Sequence, residues 1–533
     1  MSTDKNRQVE IFDSTLRDGA QGEGIAFTVE DKLKVVETLD NLGVKYIEAG
    51  NPGSNPKDLE FFKRVKNITL QNSAIVAFGS TRRRDINVED DANVKSLLTA
   101  DTKYVAIFGK SWDLHVKEII KTTLEENLKM IEETLSFFVN KGKTVIYDAE
   151  HFFDGYKNNP EYAMKTLEAA IKGGAAVLAL CDTNGGCFPT EIYDIANKVV
   201  KAFPNAKVGI HCHNDSGLAV ANSLMAVAAG AGHVQGTYNG FGERCGNANL
   251  STVIADLQLK KGYICIPEEN VSSLTDAAHR IASIANMILD NGMPFVGKSA
   301  FAHKGGMHID GVNKVSRSFE HIDPQIVGNE RRFLMSEVSG RSTIISKLQN
   351  IDPTLEKDSP ETQKILKLLK EKEHRGYQYE AAEASFELLV LKALGRYKPF
   401  FDLAYFKTTG DKLTTHGSES RNTSTAIISL IVGGENEITA AEGDGPVNAL
   451  DLALRKALEV FYPALSSVQL TDYRVRVMEA KNATASKVRV LIESTDGEKT
   501  WSTVGVSTDI IQASWKALVD SIEYKLIKDL NNA

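Results

Sequence analysis

Eight short β-rich apolar runs recur through the first half of the chain, and their spacing limits the fold more than any other feature. They are VEIFDSTL (9–16), YIEAG (46–50), AIVAFG (74–79), YVAIFG (104–109), TVIYDAE (144–150), VLALCD (177–182), KVGIHCHN (207–214) and HVQGTYNG (233–240). Consecutive starts lie about 25–40 residues apart, the length of one strand-loop-helix-loop unit. Helical patterns fill the intervals. In VEDKLKVVETLDNLG, the residues Leu33, Val36, Leu39 and Leu42 share one face. EENLKMIEETLSFFVNKG and PEYAMKTLEAAIKGGA behave likewise and run into glycine, a common helix stop. Eight such units in one array predict an α/β fold, a parallel (β/α)8 TIM barrel over residues 1–290. A doubly wound open sheet is the structural alternative.

The pattern then changes. Residues 291–393 mix helices with polar loops such as VSRSFEHIDPQIVGNERR, and read as linker subdomains with little core of their own. From 394 to 533, strands with alternating character return: three strands and a helix, twice, an internal duplication expected to form a separate α+β domain. Asp444 and Asp509 precede the two helices, where a carboxylate can cap free N–H groups.

Composition excludes several classes. The 533 residues carry 62 Lys and Arg against 70 Asp and Glu, a formal charge of −8. That balance argues against broad nucleic-acid binding, although a pocket for an anion can be locally basic. The five cysteines show no C-x-x-C spacing, so neither a zinc cluster nor a disulfide framework is expected, and a reducing cytoplasm fits. No signal peptide is expected from MSTDKNRQVEIFD, and no apolar run approaches the roughly 18 residues of a membrane span.

In a barrel, the residues at the C-terminal ends of the strands line the active site. These ends carry Arg17, Asp18 and Gln21; Glu150 and His151; Asp182, Thr183 and Asn184; His211 and His213; and then Glu243, Arg244 and Asn247. His211 and His213 are two apart on a predicted strand, so both point to one side while Cys212 points away. Two imidazoles with Asp18 across the barrel make a divalent-metal site with positions open for substrate, and Asn247 can add a carbonyl oxygen. Hydrogen-bonded core histidines are the bland alternative. Asp215 is placed to fix a histidine tautomer. Arg17 suits a substrate oxygen on the metal, or else a structural ion pair with Glu48 or Glu243. Thr183 offers a hydroxyl to a substrate carboxylate. Glu150 suits a ligand, a base or the partner of a base.

Other motifs fail. FGKS (108–111) resembles the end of a P-loop, but Tyr104 stands where the earlier glycine is needed. GDGPVN lacks the third glycine of a dinucleotide fingerprint. TRRR (81–84) is either a phosphate contact or a solvated basic loop.

STLRDGAQ, HCHND and GERCGNANL together resemble the metallolyase-type barrel family, which holds isopropylmalate, homocitrate and citramalate synthases, hydroxymethylglutaryl-CoA lyase and the carboxyltransferase domains of biotin enzymes. AFAHKGGMHIDGV (300–312) is similar to the linker of the synthases, and GDGPVNALDLAL (443–454) to the regulatory domain of the isopropylmalate and citramalate synthases. FDSTLRDGAQGEGIAFT, FGSTRRR and VIYDAEHFFDGY resemble the long citramalate synthase branch, with Ala20 where isopropylmalate synthases typically carry glutamate. The resemblance implies an acyltransferase that condenses acetyl-CoA with pyruvate and water to give (R)-citramalate and CoA, a step of isoleucine biosynthesis. It implies a divalent ion (Mn, Mg, Zn or Co) on Asp18, His211, His213 and Asn247, substrate contacts from Arg17 and Thr183, and catalysis by Arg17 and Glu150 with His308 and Asp310 of the linker. It further implies a homodimer in which the linker of one subunit reaches the barrel of the other, with isoleucine as effector. A sister enzyme using 2-oxoisovalerate or another 2-oxoacid, and an inactive barrel kept as a scaffold, are the alternatives.

Overall fold

In the computed structural model, described for residues 6–53, 56–334, 348–349, 351–356, 359–412, 422–478, 486–497 and 499–532, the chain divides into two compact units. One comprises Met1–Ala302 with Glu320–Arg332, the other His303–Phe319 with Phe333–Ala533.

The eight apolar runs form β1 (Glu10–Asp13), β2 (Tyr46–Glu48), β3 (Ala74–Ser80), β4 (Tyr104–Lys110), β5 (Thr144–Glu150), β6 (Val177–Asp182), β7 (Lys207–Cys212) and β8 (His233–Gly236). They close in sequence order, all parallel, with β8 pairing back to β1. The barrel fold is as expected, and the open sheet is excluded.

Local chemistry sets the helices between them. Helix Val29–Leu42 starts at Thr28, whose hydroxyl accepts from the Asp31 N–H while Asp31 accepts from the Thr28 N–H. It stops at Gly43, whose φ of 92° suits only glycine well. Its inner face carries Val35, Val36, Leu39 and Leu42; Leu33 is only half-buried, because the four-residue ridge turns it off the sheet.

The period-two alternation of the strands sorts side chains between two environments. Outward residues such as Ile11, Ile47, Ile107, Leu178, Ile210 and Val234 pack under the helices in the largest core. Each such side chain contributes about 1.5–3 kcal/mol when fully buried. Inward residues Phe12, Tyr46, Val76, Ala106, Ile146 and Val177 form a separate apolar plug. Further along the same strands, the inward positions turn polar.

In the second unit, Asp402–Lys412, Asn422–Val432 and Glu435–Gly443 form one antiparallel sheet, followed by helix Pro446–Glu459. Gln469–Val477, Val488–Thr495 and Thr500–Ser507 form a second, followed by helix Ile510–Asn532. The duplication is therefore structural. Asp509 caps its helix by accepting from the N–H groups of Ile511 (2.7 Å) and Gln512 (3.1 Å). Asp444 does not cap: Gly445 occupies the cap position without a side-chain bond. The stretch expected to have little core supplies Leu348, Leu355, Ile365, Leu369, Phe386 and Val390 to a cluster completed by Val504 and Val506. Its partners lie more than a hundred residues further along, where local reading does not reach. Among the described residues, no helix is long and apolar enough to cross a membrane.

Candidate metal centre and active site

The polar end of the barrel interior holds a cavity of 260 Å³ lined by Arg17, Asp18, Gln21, Glu150, Thr183, His211, His213, Glu243 and Arg244, all read from strand ends, and by Phe78, Phe108, Asp148 and Cys181. Asp18, His211 and His213 are buried, and one potential ligand atom from each lies within 4.8 Å of the others. Nε2 of His211 stands 3.5 Å and Nε2 of His213 3.9 Å from Oδ2 of Asp18. These separations are long for hydrogen bonds but fit atoms that share one ion at about 2.1 Å. Asn247 lies beside them, bridged to His213 and with its amide helping to hold the Asp18 carboxyl down: Nδ2 donates to the Phe241 carbonyl at 3.0 Å, and buried Oδ1 has no partner among the described residues. An orphaned buried carbonyl beside two imidazoles and a carboxylate fits a divalent cation.

β7 ends one residue early, at Cys212, yet His213 stays aligned because it bridges to Asn247. Asn214 N–H donates to Gly246 O at 2.8 Å, and Ala248 N–H to Cys212 O at 2.9 Å. The loop after β8 is thereby stitched across the end of β7. Gly185 makes a close approach on the other flank, where a Cβ would meet His213 O at 2.9 Å and φ is +61°.

Electrostatics prepares the site for a cation. Burial raises the Asp18 carboxyl, but the adjacent Arg17 guanidinium, with His211 and His213, outweighs it and holds the pKa at about 2. Burial lowers His211 to about 3, with His213 adding to the effect, and burial also lowers His213. Burial thus favours the neutral form of both imidazoles, the form in which a histidine ligates, beside the Asp18 carboxylate.

Arg17 donates from Nε to Glu48 (2.7 Å) and from Nη1 to Asp18 (3.1 Å), and its guanidinium lies 3.8 Å from the Phe78 ring centroid. The ion pair with Glu48 is real, and it coexists with a pocket-lining position. Phe78 stacks on Phe108 at 5.2 Å. Burial raises Glu48 despite Arg17, and burial together with Glu48 raises Asp148 to about 7. Glu150 pairs with Lys110, its register partner on β4. The lysine of the failed P-loop motif thus supports a pocket carboxylate. Thr183 Oγ1 accepts from the His151 N–H at 2.9 Å.

Several expected residues lie elsewhere. Asp182 is an outward position, accepting from Cys187 N–H at 3.2 Å. Asp215 binds Arg244 at 2.7 and 3.1 Å rather than a histidine; the fixed histidine nitrogen is Nδ1 of His211, 3.1 Å from Gln235. Arg82 is committed to Glu126 and Glu133, each at 2.7 Å, so it is no phosphate contact. His308 and Asp310 are exposed and belong to the second unit, with His308 stacked on Phe319 at 4.3 Å and Asp310 paired with Lys314 at 2.6 Å. Phe78, Phe108, Asp148 and Cys181 were not foreseen as pocket groups, nor was Gln235 behind His211. Counting by twos back from Glu150 reaches Asp148, so alternation along the strand was the available signal.

A closed parallel barrel whose strand ends gather two histidines, an aspartate and an arginine defines the HMGL-like class, and the HMGL-like family matches residues 8–288. The homocitrate synthase post-HMGL domain-like family matches 295–376, and the LeuA allosteric (dimerisation) domain matches 380–526. The chain is 53% identical to (R)-citramalate synthase of Aquifex aeolicus over 98% of both chains. It is 49% identical to that of Synechocystis over 98% of this chain and 97% of the other. A 2-isopropylmalate synthase of Pyrococcus furiosus is 31% identical over 97% of this chain and 99% of the other. The chain belongs to the (R)-citramalate synthase family.

Proposed function

We propose that this chain condenses acetyl-CoA with pyruvate and water, giving (R)-citramalate and CoA. The observation that carries the reading is the near full-length identity to (R)-citramalate synthases, well above that to 2-isopropylmalate synthases. The chemistry at the strand ends is consistent with it. A methyl proton leaves acetyl-CoA, the resulting carbon bonds to the ketone carbon of pyruvate, the ketone oxygen becomes a hydroxyl, and water cleaves the thioester to release CoA.

Asp18, His211, His213 and Asn247 would hold the divalent ion, which supplies Lewis-acid polarisation of the ketone. Arg17 has donors left beyond those given to Glu48 and Asp18, and they suit the oxygen where negative charge develops. The Thr183 hydroxyl suits the pyruvate carboxylate. Phe78 and Phe108 wall the cavity with stacked rings, an apolar surface for a methyl group. Glu150 acts with His308 and Asp310, the last two supplied by the other subunit of a homodimer. The exposure of His308 and Asp310 leaves them accessible for that role.

CoA release measured in turn with pyruvate, 2-oxobutyrate, 2-oxoisovalerate and 2-oxoglutarate tests the substrate. Pyruvate should be turned over fastest; a clear preference for 2-oxoisovalerate overturns the reading. One methylene is worth only about 1–3 kcal/mol of discrimination, so the panel decides what resemblance does not.

The match to the LeuA domain supports a dimer with a regulatory site, and isoleucine is the effector we propose. Isoleucine added to the assay should lower turnover, and calorimetry should register its binding. Neither inhibition nor heat would leave the second unit as a dimerisation module alone.

A further inference from the structure

The two candidate metal-binding histidines differ in how their rings are held. Nδ1 of His213 is buried with no hydrogen-bond partner among the described residues. Nδ1 of His211 lies 3.1 Å from Oε1 of Gln235, and Nε2 of Gln235 donates to Oδ1 of Asp148 at 2.8 Å. His211, Gln235 and Asp148 come from β7, β8 and β5, all face inward, and all are buried.

The donor inventory of these groups then runs one way. Gln235 presents its NH2 to Oδ1 of Asp148, a bond that favours the carboxylate over the acid. The other end is a carbonyl, which only accepts, so Nδ1 of His211 must carry the hydrogen. That leaves the lone pair on Nε2, the nitrogen 3.5 Å from Asp18.

We propose that Gln235 is a positioning residue: anchored by Asp148, it fixes the His211 tautomer that presents Nε2 to a divalent cation. The proposal rests on the metal reading of the site but assigns a role to residues outside the ligand set. Partners behind a ligand histidine typically govern about 10–100-fold of metal affinity.

The test is a double-mutant cycle read by calorimetric titration of full-length, metal-stripped protein with Mn²⁺ alone. The parent, Gln235→Leu, His211→Ala and the double variant are compared. Gln235→Leu should weaken Mn²⁺ binding by about 10–100-fold in the parent background and by less than about twofold once His211 is gone. Equal losses in both backgrounds would mean that Gln235 serves packing alone, and parental affinity in Gln235→Leu would mean that it serves nothing at the metal; either result overturns the proposal. If circular dichroism shows Gln235→Leu unfolded, Asp148→Asn takes its place in the cycle, since an amide at 148 lets the glutamine turn over. The same pattern of losses is then expected, and parental affinity or additivity overturns the proposal. A His211→Ala protein that binds Mn²⁺ like the parent removes the metal reading itself, an outcome separate from additivity in the cycle.

Discussion

Arg17→Lys should turn over about 10²–10³-fold more slowly than the parent, with the loss in kcat. A lysine ammonium cannot reproduce what the guanidinium does at once: bond Glu48 at 2.7 Å, bond Asp18 at 3.1 Å, stack on Phe78 and still offer donors to the cavity. Arg17→Ala should lose stability as well. Glu48 is fully buried, and breaking such a pair from one side costs about 3–5 kcal/mol, less whatever the carboxyl recovers by taking up a proton. Adding Glu48→Gln to Arg17→Ala should restore much of the thermal stability and none of the turnover. CoA release and thermal denaturation separate the two roles. An Arg17→Lys enzyme with parental kcat would reduce Arg17 to a structural ion pair.

Asp18→Asn should weaken Mn²⁺ binding by more than about 100-fold, beyond what an outer partner costs, and abolish condensation. Asp18 is the carboxylate that both histidine Nε2 atoms face. The pH dependence has a definite sign. With Asp18 at about 2 and His211 at about 3, both groups are already deprotonated at neutral pH. Protons therefore do not compete for these two, and with burial also lowering His213, Mn²⁺ affinity in the parent should stay level from about pH 7 to 8. A steep fall in affinity on acidification across that interval would contradict the depressed histidines.

The sequence exposed the parts of this architecture that repeat or sit in short motifs. Eight strands with helices between them announced a barrel, and HCHND with LRDG marked the metal face. What stayed hidden depends on the far side of the barrel. Asp182 and Thr183 are neighbours in sequence, yet only the second faces the cavity. Glu48 was one of two carboxylates open to Arg17; that it pairs rather than Glu243 needs β1 and β2 side by side. Asp215 looked like a partner for the adjacent histidine, but Arg244, 29 positions later, takes both its oxygens. The arginines of TRRR invited a phosphate because Glu126 and Glu133, which claim Arg82, lie on a later helix. Apart from Asp182, each is a long-range charge pairing that local spacing does not encode.

The stitching of the loop after β8 onto the end of β7 bears on recombination. Barrels of this kind invite the exchange of single strand-helix modules between relatives. Here a crossover between residues 214 and 246 would separate His213 from the segment that holds it in line, since the bridge to Asn247 and the bonds at Asn214 and Ala248 all span that interval. Arg244 also reaches the Thr183 carbonyl at 2.8 Å, tying in the end of β6. The histidine and asparagine side of this metal face therefore travels as one block from β6 through the β8 loop, and chimeras that carry it whole should keep a geometry of those three residues that finer mosaics lose.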